Sequence, residues 1–286
     1  MNRPAVLADL HSHTSHSHGQ NSVEEMHRAA LARGLAVYGF SEHSPRPSGY
    51  TYPTDYQPKL LAGFDRYIAE VSALRDAESK DGKDAMRVLL ALEVDFIAEE
   101  VDYARTLVAA HDYDYIIGGL HFQGTWGFDF CAQDWAALSQ EQRFAAYERY
   151  YRDLAAMCET GLFHIAAHPD LIKLFTIDDF TLWLATPASR TLIDTALQAM
   201  KANNMAMEVS SAGLRKPCKE IYPGPVLMER AAALGLPISI GSDAHCINTP
   251  AYAFDQLASY AASFGYTGSV VIEGGATRVL PFNIQA

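Results

Sequence analysis

The chain has 286 residues, 49 % of them hydrophobic and 20 % charged, enough to bury a full core. Its formal net charge of −12 runs against the Lys and Arg excess that sequence-independent nucleic-acid binding demands. Cys131, Cys158, Cys218 and Cys246 are scattered without a C-x-x-C pair, which points to free thiols in a reducing cytoplasm, and neither a secretion signal nor a span of ~20 apolar residues is expected.

The first predicted element is a buried strand, "AVLADL" (5–10). Four of the eleven histidines follow it within eight positions, in "HSHTSHSH" (11–18). Ser22 then opens a helix with Glu25 three places on, a capping box, and Gly34 ends it. "AVYGF" (36–40) is the second strand. A helix over 56–79 carries Leu60, Phe64, Tyr67, Val71 and Leu74 at helical spacing. "RVLLALEV" (87–94) is a strand, 99–111 a helix and "YDYIIGGL" (113–120) a strand. Ser139 with Gln142 caps a long helix running to about Glu159. The strand "FHIAAH" (163–168) precedes a helix over 187–203, and "MAMEVS" (205–210) precedes one over 224–235. "PISIGSD" (237–243), a helix near 250–264 and a short strand "SVVIEG" (269–274) complete the series. Strand then helix, seven or eight times without a strong linker, predicts one α/β domain over 1–286.

The polar residues decide between an open sheet and a closed barrel. His11, His13, His16 and His18 follow the first strand, and His43 follows the second. Glu93 interrupts the apolar third strand, "LLALEVDF". His121, His168, Arg215, and Asp243 with His245 follow the next four. Taken singly, a strand-end histidine is an ordinary loop residue, Glu93 the partner of an arginine, and Asp243 an N-cap. Taken together, seven chemically armed strand ends on one face require closure, as in a (β/α) barrel. His27, His111 and His164 fall elsewhere and read as structural. Neutral imidazole and carboxylate are ligands for zinc, manganese or iron. Their number exceeds what one ion takes, and a strand-end carboxylate such as Glu93 can bridge two, the usual apparatus of phosphoester hydrolysis.

The stretches "DLHSHTSHSHG", "SEHS", "LEVD", "GGLHF", "AAHPDLIK" and "GSDAH" resemble, in order, the motifs of the PHP (polymerase and histidinol phosphatase) superfamily. The segment 210–245, "SSAGLRKPCKEIYPGPVLMERAAALGLPISIGSDAH", is closer still to the PHP-type histidinol-phosphatase family. The resemblance implies a distorted (β/α)7 barrel, with the site at the C-terminal ends of the strands, holding three divalent ions of zinc, iron or manganese. By position, the first ion would take His11, His13, Glu93 and Asp243. The second would take Glu93, His121 and His168, and the third His18, His43 and His245. His18 is preferred to His16 because it follows Ser17 and precedes Gly19, as in the family pattern.

The implied reaction is hydrolysis of L-histidinol phosphate to L-histidinol and phosphate, a step of histidine biosynthesis. A metal-bound hydroxide would attack phosphorus, and Glu93, Asp243 and His245 are the catalytic candidates. Arg215 is the first candidate for a forked phosphate contact, with Lys173 and Lys216 behind it. No proton donor for the leaving group is identifiable. Phe122, Trp126 or Tyr222 could line the imidazole end, and Glu42 or Asp170 could meet the amine. The expected partner is a small phosphate ester, with no nucleic acid and no membrane. The alternatives are a PHP-family phosphoesterase for another small ester, such as a nucleotide, and a non-catalytic metal- or phosphate-binding module.

Overall fold

The strands of the main sheet fall within apolar runs, and most of the longer amphipathic stretches between them form helices. The computed structural model describes residues 5–53, 56–79 and 85–283. Its strands are β1 (Ala8–Asp9), β2 (Val37–His43), β3 (Arg87–Asp95), β4 (Tyr115–Gly119), β5 (Phe122–Gln123), β6 (Trp126–Gly127), β7 (Ile165–Ala166), β8 (Ala206–Ser210), β9 (Ile238–Gly241), β10 (Gly268–Glu273) and β11 (Ala276–Pro281). The helices are α1 (Val23–Ala32), α2 (Gln57–Glu78), α3 (Val101–Val108), α4 (Ala132–Ala136), α5 (Gln140–Glu159), α6 (Ile177–Leu184), α7 (Pro187–Ala202), α8 (Pro225–Leu234) and α9 (Phe254–Ser263). Both expected capping boxes form, Ser22 with Glu25 on α1 and Ser139 with Gln142 on α5.

Seven strands pair in the order β1-β2-β3-β4-β7-β8-β9, every neighbour parallel. The ends of this sheet meet. Leu10 N donates to Ile240 O at 3.0 Å, His13 N to Ala244 O at 2.8 Å, and Ser12 bridges Ala244 in parallel. Asp9 fastens the seam, accepting from Ser242 N (2.9 Å), Ser242 Oγ (2.6 Å) and Ala251 N (2.9 Å). The result is a nearly closed, distorted (β/α)7 barrel.

Period-2 alternation on β3 shows how the barrel aims its chemistry. Val88, Leu90, Leu92 and Val94 pack outward among the helices. Leu89 and Ala91 pack inward with Ala8, Leu10, Val37, Ile117 and Ile165. Glu93 and Asp95 continue that inward row at the strand's C-terminal end. Below them Tyr115 crosses the barrel and donates its hydroxyl to Leu10 O at 2.5 Å. Gly39 makes room for that ring, since a Cβ there would lie 1.8 Å from the Tyr115 hydroxyl oxygen.

The last predicted strand has a different role. β10 pairs antiparallel with β11 in a separate hairpin. Val270, Val271 and Ile272 join the inner core, and Gly274 and Gly275 donate to Asp114 at the start of β4. The hairpin therefore closes the N-terminal mouth, opposite the histidines. β2 also runs three residues beyond its predicted end, so Ser41, Glu42 and His43 lie on the strand itself. Among the described residues, no helix is long and apolar enough to cross a membrane.

Candidate metal centre

Glu93 stands at the centre of the C-terminal mouth, 2 % exposed. Its Oε2 lies 3.3 Å from His11 Nε2, 3.4 Å from His13 Nε2 and 3.0 Å from His43 Nδ1. Its Oε1 lies 3.2 Å from His168 Nε2 and 3.7 Å from His121 Nε2. Imidazoles from four other strand ends thus surround one carboxylate. Asp243 Oδ1 adds contacts of 3.3 Å to His13 Nε2, 3.9 Å to His11 Nε2 and 3.4 Å to His245 Nδ1. His18 sits at the exposed rim, its ring 4.9 Å from that of His43 and 4.3 Å from that of His245, centroid to centroid.

The arrangement fits divalent cations. His11 Nε2, His13 Nε2, His43 Nε2, His245 Nε2 and Glu93 Oε2 are buried without a hydrogen-bond partner, whereas buried polar atoms are ordinarily paired. Donor atoms converge within 4.8 Å in the sets His11–His13–Glu93, Glu93–His121–His168, His13–His43–His245 and His11–His168–Glu208. Two ligands about 2.1 Å from one ion can be no farther apart than roughly 4.2 Å, so this spacing is close to what imidazole–carboxylate sites use. Two of these residues, His168 (φ 25°) and Asp243 (φ 50°), hold left-handed backbone conformations, the kind of strain that persists where surroundings over-determine it.

A second layer of buried carboxylates orients the rings from behind. Glu208 Oε1 is 2.7 Å from His11 Nδ1, Glu42 Oε1 is 3.3 Å from His13 Nδ1, and Asp95 Oδ1 takes His121 Nδ1. Glycines give these groups room. A Cβ at Gly241 would fall 2.1 Å from Glu208 Oε1 and 2.7 Å from His11 Cβ, and one at Gly119 would fall 2.8 Å from His121 Cε1. Charge follows this geometry. Burial works against a charged His13, but Asp243 and Glu42 overcome it and push the ring up to about 9. Burial likewise opposes a charged His121, and Asp95 with Glu93 pushes it up to about 9. Burial pushes His43 well below the usual imidazole range. Burial also works against ionised Glu93, yet His11 and His43 hold it well below the usual carboxylate range.

A cavity of about 320 Å³ opens above the cluster. Its metal-side wall is His18, His43, Glu93, His121, His168, Asp243 and His245. The rest of the lining is Arg46, Tyr52, Tyr56, Asp129, Phe130 and Lys216. Phe130 stacks on Tyr52 at 5.3 Å, and the Tyr52 hydroxyl donates to Asp129 Oδ1 at 2.6 Å.

Of the three expected cationic contacts, only Lys216 lines this cavity, 3.5 Å from Asp243 Oδ2. Arg215 lies behind Asp243. Its Nη2 donates to the carbonyls of Ser242 and Asp243, and its guanidinium lies 5.5 Å from the Tyr252 ring centre. Lys173 is fully buried, donating to Asp170 Oδ2 (2.7 Å), Glu220 Oε2 (2.6 Å) and Ile221 O (3.1 Å). Those bonds occupy the Lys173 ammonium fully and Arg215 through Nη2, while Arg215 Nε is buried without a hydrogen-bond partner. Glu42 is saturated as well, by Thr14 N, Thr14 Oγ1, Ser17 Oγ, His43 N and His13. Asp170 is committed to Lys173 and Gly224 N. Phe122, Trp126 and Tyr222 are outside the lining, packed against Tyr52, Trp135 and Lys173 respectively. His16 turns away to Glu70 at 2.9 Å, His27 pairs with Glu78, and His164 Nδ1 accepts from Ile116 N.

Sequence reasoning missed Glu208, although its run "MAMEVS" carries the same signal as Glu93, an acid inside an apolar strand. It missed Asp95 too, which the inward parity of Glu93 on β3 would have placed. Arg46, Tyr52 and Asp129 lie in loops with no periodicity to read, and Tyr56 caps the start of α2.

The PHP domain family matches residues 9–212. A Deinococcus radiodurans protein named "Probable histidinol-phosphatase" is 32 % identical over 242 residues, 84 % of this chain and 86 % of its own. The histidinol-phosphatase of Bacillus subtilis is 28 % identical over 271 residues, 87 % of this chain and 97 % of its own. Among solved structures, histidinol phosphate phosphatase from Lactococcus lactis, complexed with zinc, L-histidinol and phosphate, has a TM-score of 0.76 at 16 % identity. That match covers 95 % of this chain and 98 % of the Lactococcus one.

Proposed function

The chain belongs to the PHP-domain family, and from that premise we propose that it is a single-domain, metal-dependent phosphomonoesterase hydrolysing L-histidinol phosphate to L-histidinol and phosphate. One observation carries the reading: five imidazoles and Asp243 converge around the buried Glu93 on the floor of a cavity sized for a small molecule. The names of the Deinococcus and Bacillus relatives supply the substrate. Three divalent ions of zinc, iron or manganese would be held by His11, His13, Glu93 and Asp243, by Glu93, His121 and His168, and by His18, His43 and His245. When bound, such ions supply hydroxide at neutral pH and neutralise phosphoryl charge. Unpaired thiols at all four cysteines favour a reducing compartment, and we place the enzyme in the cytoplasm.

The chain's own residues divide the rest of the work. Glu93 offers Oε2 to His11 and His13 and Oε1 to His121 and His168, and would thereby help hold two cations. Asp243 holds the nearer set from the β9 side. Lys216 is the cation positioned to meet a phosphoryl oxygen. Arg215 fixes the Ser242–Asp243 backbone and thereby the direction of the Asp243 carboxylate. Among the other lining residues, Asp129 would meet a substrate cation, and Tyr52, Tyr56 and Phe130 would provide flat surfaces for an imidazole.

The test is phosphate release from L-histidinol phosphate by metal-loaded protein, beside nucleoside monophosphates, before and after chelation. The expected result is turnover of histidinol phosphate that chelator removes and metal restores. Faster turnover of nucleotides would move the substrate elsewhere in the family, and no turnover by metal-replete protein would make this a binding module.

A further inference from the structure

Three buried carboxylates stand behind cluster histidines, and one differs from the other two. Glu42 is held by Thr14, Ser17 and the backbone of His43, and Glu208 by His168 N at 2.8 Å, all uncharged donors. Asp95, by contrast, receives Arg46 Nε at 2.6 Å on the oxygen opposite the one facing His121. Arg46 is 6 % exposed. Its guanidinium is packed among the rings of Tyr52, Tyr56 and Phe122, at 4.8, 4.9 and 5.1 Å from their centres. The same group donates through Nη2 to the Tyr56 hydroxyl. The Tyr56 ring in turn lies 4.6 Å from that of His18 and 5.4 Å from that of His43.

We propose that Arg46 is a positioning residue of the metal centre, aiming His121 through Asp95 and bracing His18 and His43 through Tyr56. The inference rests on the metal-site reading above, not on the identity of the substrate. A guanidinium is a rigid fork, so one planar group can fix a carboxylate with Nε and a phenol with Nη2 at once. Anchored at Oδ2, Asp95 keeps Oδ1 on His121 Nδ1, which sets the tautomer and leaves Nε2 directed at Glu93. Arg46 and Tyr56, which also line the cavity, are thereby tied to two of the three proposed ligand sets.

The experiment compares zinc affinity, by competition with a chromogenic chelator, with kcat and KM for histidinol phosphate. It uses wild type, Arg46→Gln, Arg46→Lys, Asp95→Asn and the double variant Arg46→Gln/Asp95→Asn. Losing the support of a metal ligand weakens affinity by roughly 10- to 100-fold. Arg46→Gln should lose zinc affinity in that range and lower kcat, with KM changed by less than about twofold; Arg46→Lys should fall between it and wild type. Because the effect on His121 runs through Asp95, the double variant should lose much less than the product of the two single losses.

Wild-type zinc affinity in Arg46→Gln would overturn the proposal, as would single losses that multiply in the double variant. A rise confined to KM would make Arg46 a substrate contact instead. If Arg46→Gln fails to fold by near-ultraviolet circular dichroism, wild-type zinc affinity in both Arg46→Lys and Asp95→Asn would overturn it equally. A wild-type chain that binds no zinc removes the metal reading and this inference with it, whereas zinc binding without histidinol phosphate turnover removes only the substrate.

Discussion

Glu93 is the residue on which most of the site's geometry converges. Glu93→Gln keeps the volume but removes the charge that would hold two cations close. It should lower kcat/KM by more than about 100-fold, beyond the loss of an outer partner, with a matching fall in metal content by elemental analysis. Full metal content with normal turnover would refute the bridging role. This residue was legible because an acid in an apolar strand demands a partner. Glu208 gave the same sign, but attention to groups just past the strand ends left the sixth strand with Arg215 alone. Arg215 now has a different test. A phosphate clamp at that position would leave the metals in place when truncated. The observed bonds to the Ser242 and Asp243 carbonyls give Arg215→Ala a different outcome, loss of metal. If one charged hydrogen bond of ~2 kcal/mol is lost to the loop, zinc affinity should drop by roughly 30-fold. Unchanged zinc affinity with a lower kcat/KM would return Arg215 to the phosphate.

At the scale of elements, close approach between strands matters as much as the side chains they carry. Gly241, the last residue of β9, is where the Glu208 carboxylate and His11 pass the backbone. Gly241→Ala should therefore overpack the site by ~1–3 kcal/mol and reduce metal content together with thermal stability. Ile240→Val, on the same strand, is a fitting control: it should cost ~0.5–1.5 kcal/mol and leave the metals alone. Equal metal content in the two variants would show that the close approach is unimportant. The order of strands and helices was readable from periodicity, and both capping boxes from their spacing. Strand lengths were not, because β1 and β7 are only two residues long within longer extended apolar runs. β10 was readable as a strand, but its antiparallel pairing was not, because an apolar run has the same appearance whether it joins a parallel sheet or plugs the mouth below it. The hairpin β5–β6 and the short helices α4 and α6 left no pattern long enough to register.

For the whole molecule, the issue is charge. Glu42, Glu93, Asp95, Glu208 and Asp243 are each 7 % exposed or less, and all gather at one mouth of the barrel. Barrel closure was legible from the convergence of seven armed strand ends, but this excess of buried acid appears only when the outer carboxylates are seen behind the histidines. Without cations, protons on His13 and His121 carry part of the compensation: burial opposes their charge, but the neighbouring carboxylates push both up to about 9. Protons and metals then compete for the same nitrogen lone pairs, so cation affinity rises as pH climbs toward about 9 and falls in acid. Lowering the pH below ~6.5, where free imidazole protonates, should release metal and activity together, and neutralisation with added zinc should restore both. Removing the cations at constant pH should also weaken the fold. An ion present at 1,000 times its Kd contributes ~4 kcal/mol, and a domain of this size loses about 1.7 °C per kcal/mol. Exhaustive chelation at neutral pH should thus lower the calorimetric midpoint by about 7 °C for each such ion, reversibly on adding metal. An unchanged midpoint with activity intact would mean that the histidines and acids at this mouth balance one another without a cation, and the reading of the site as a metal centre would fall.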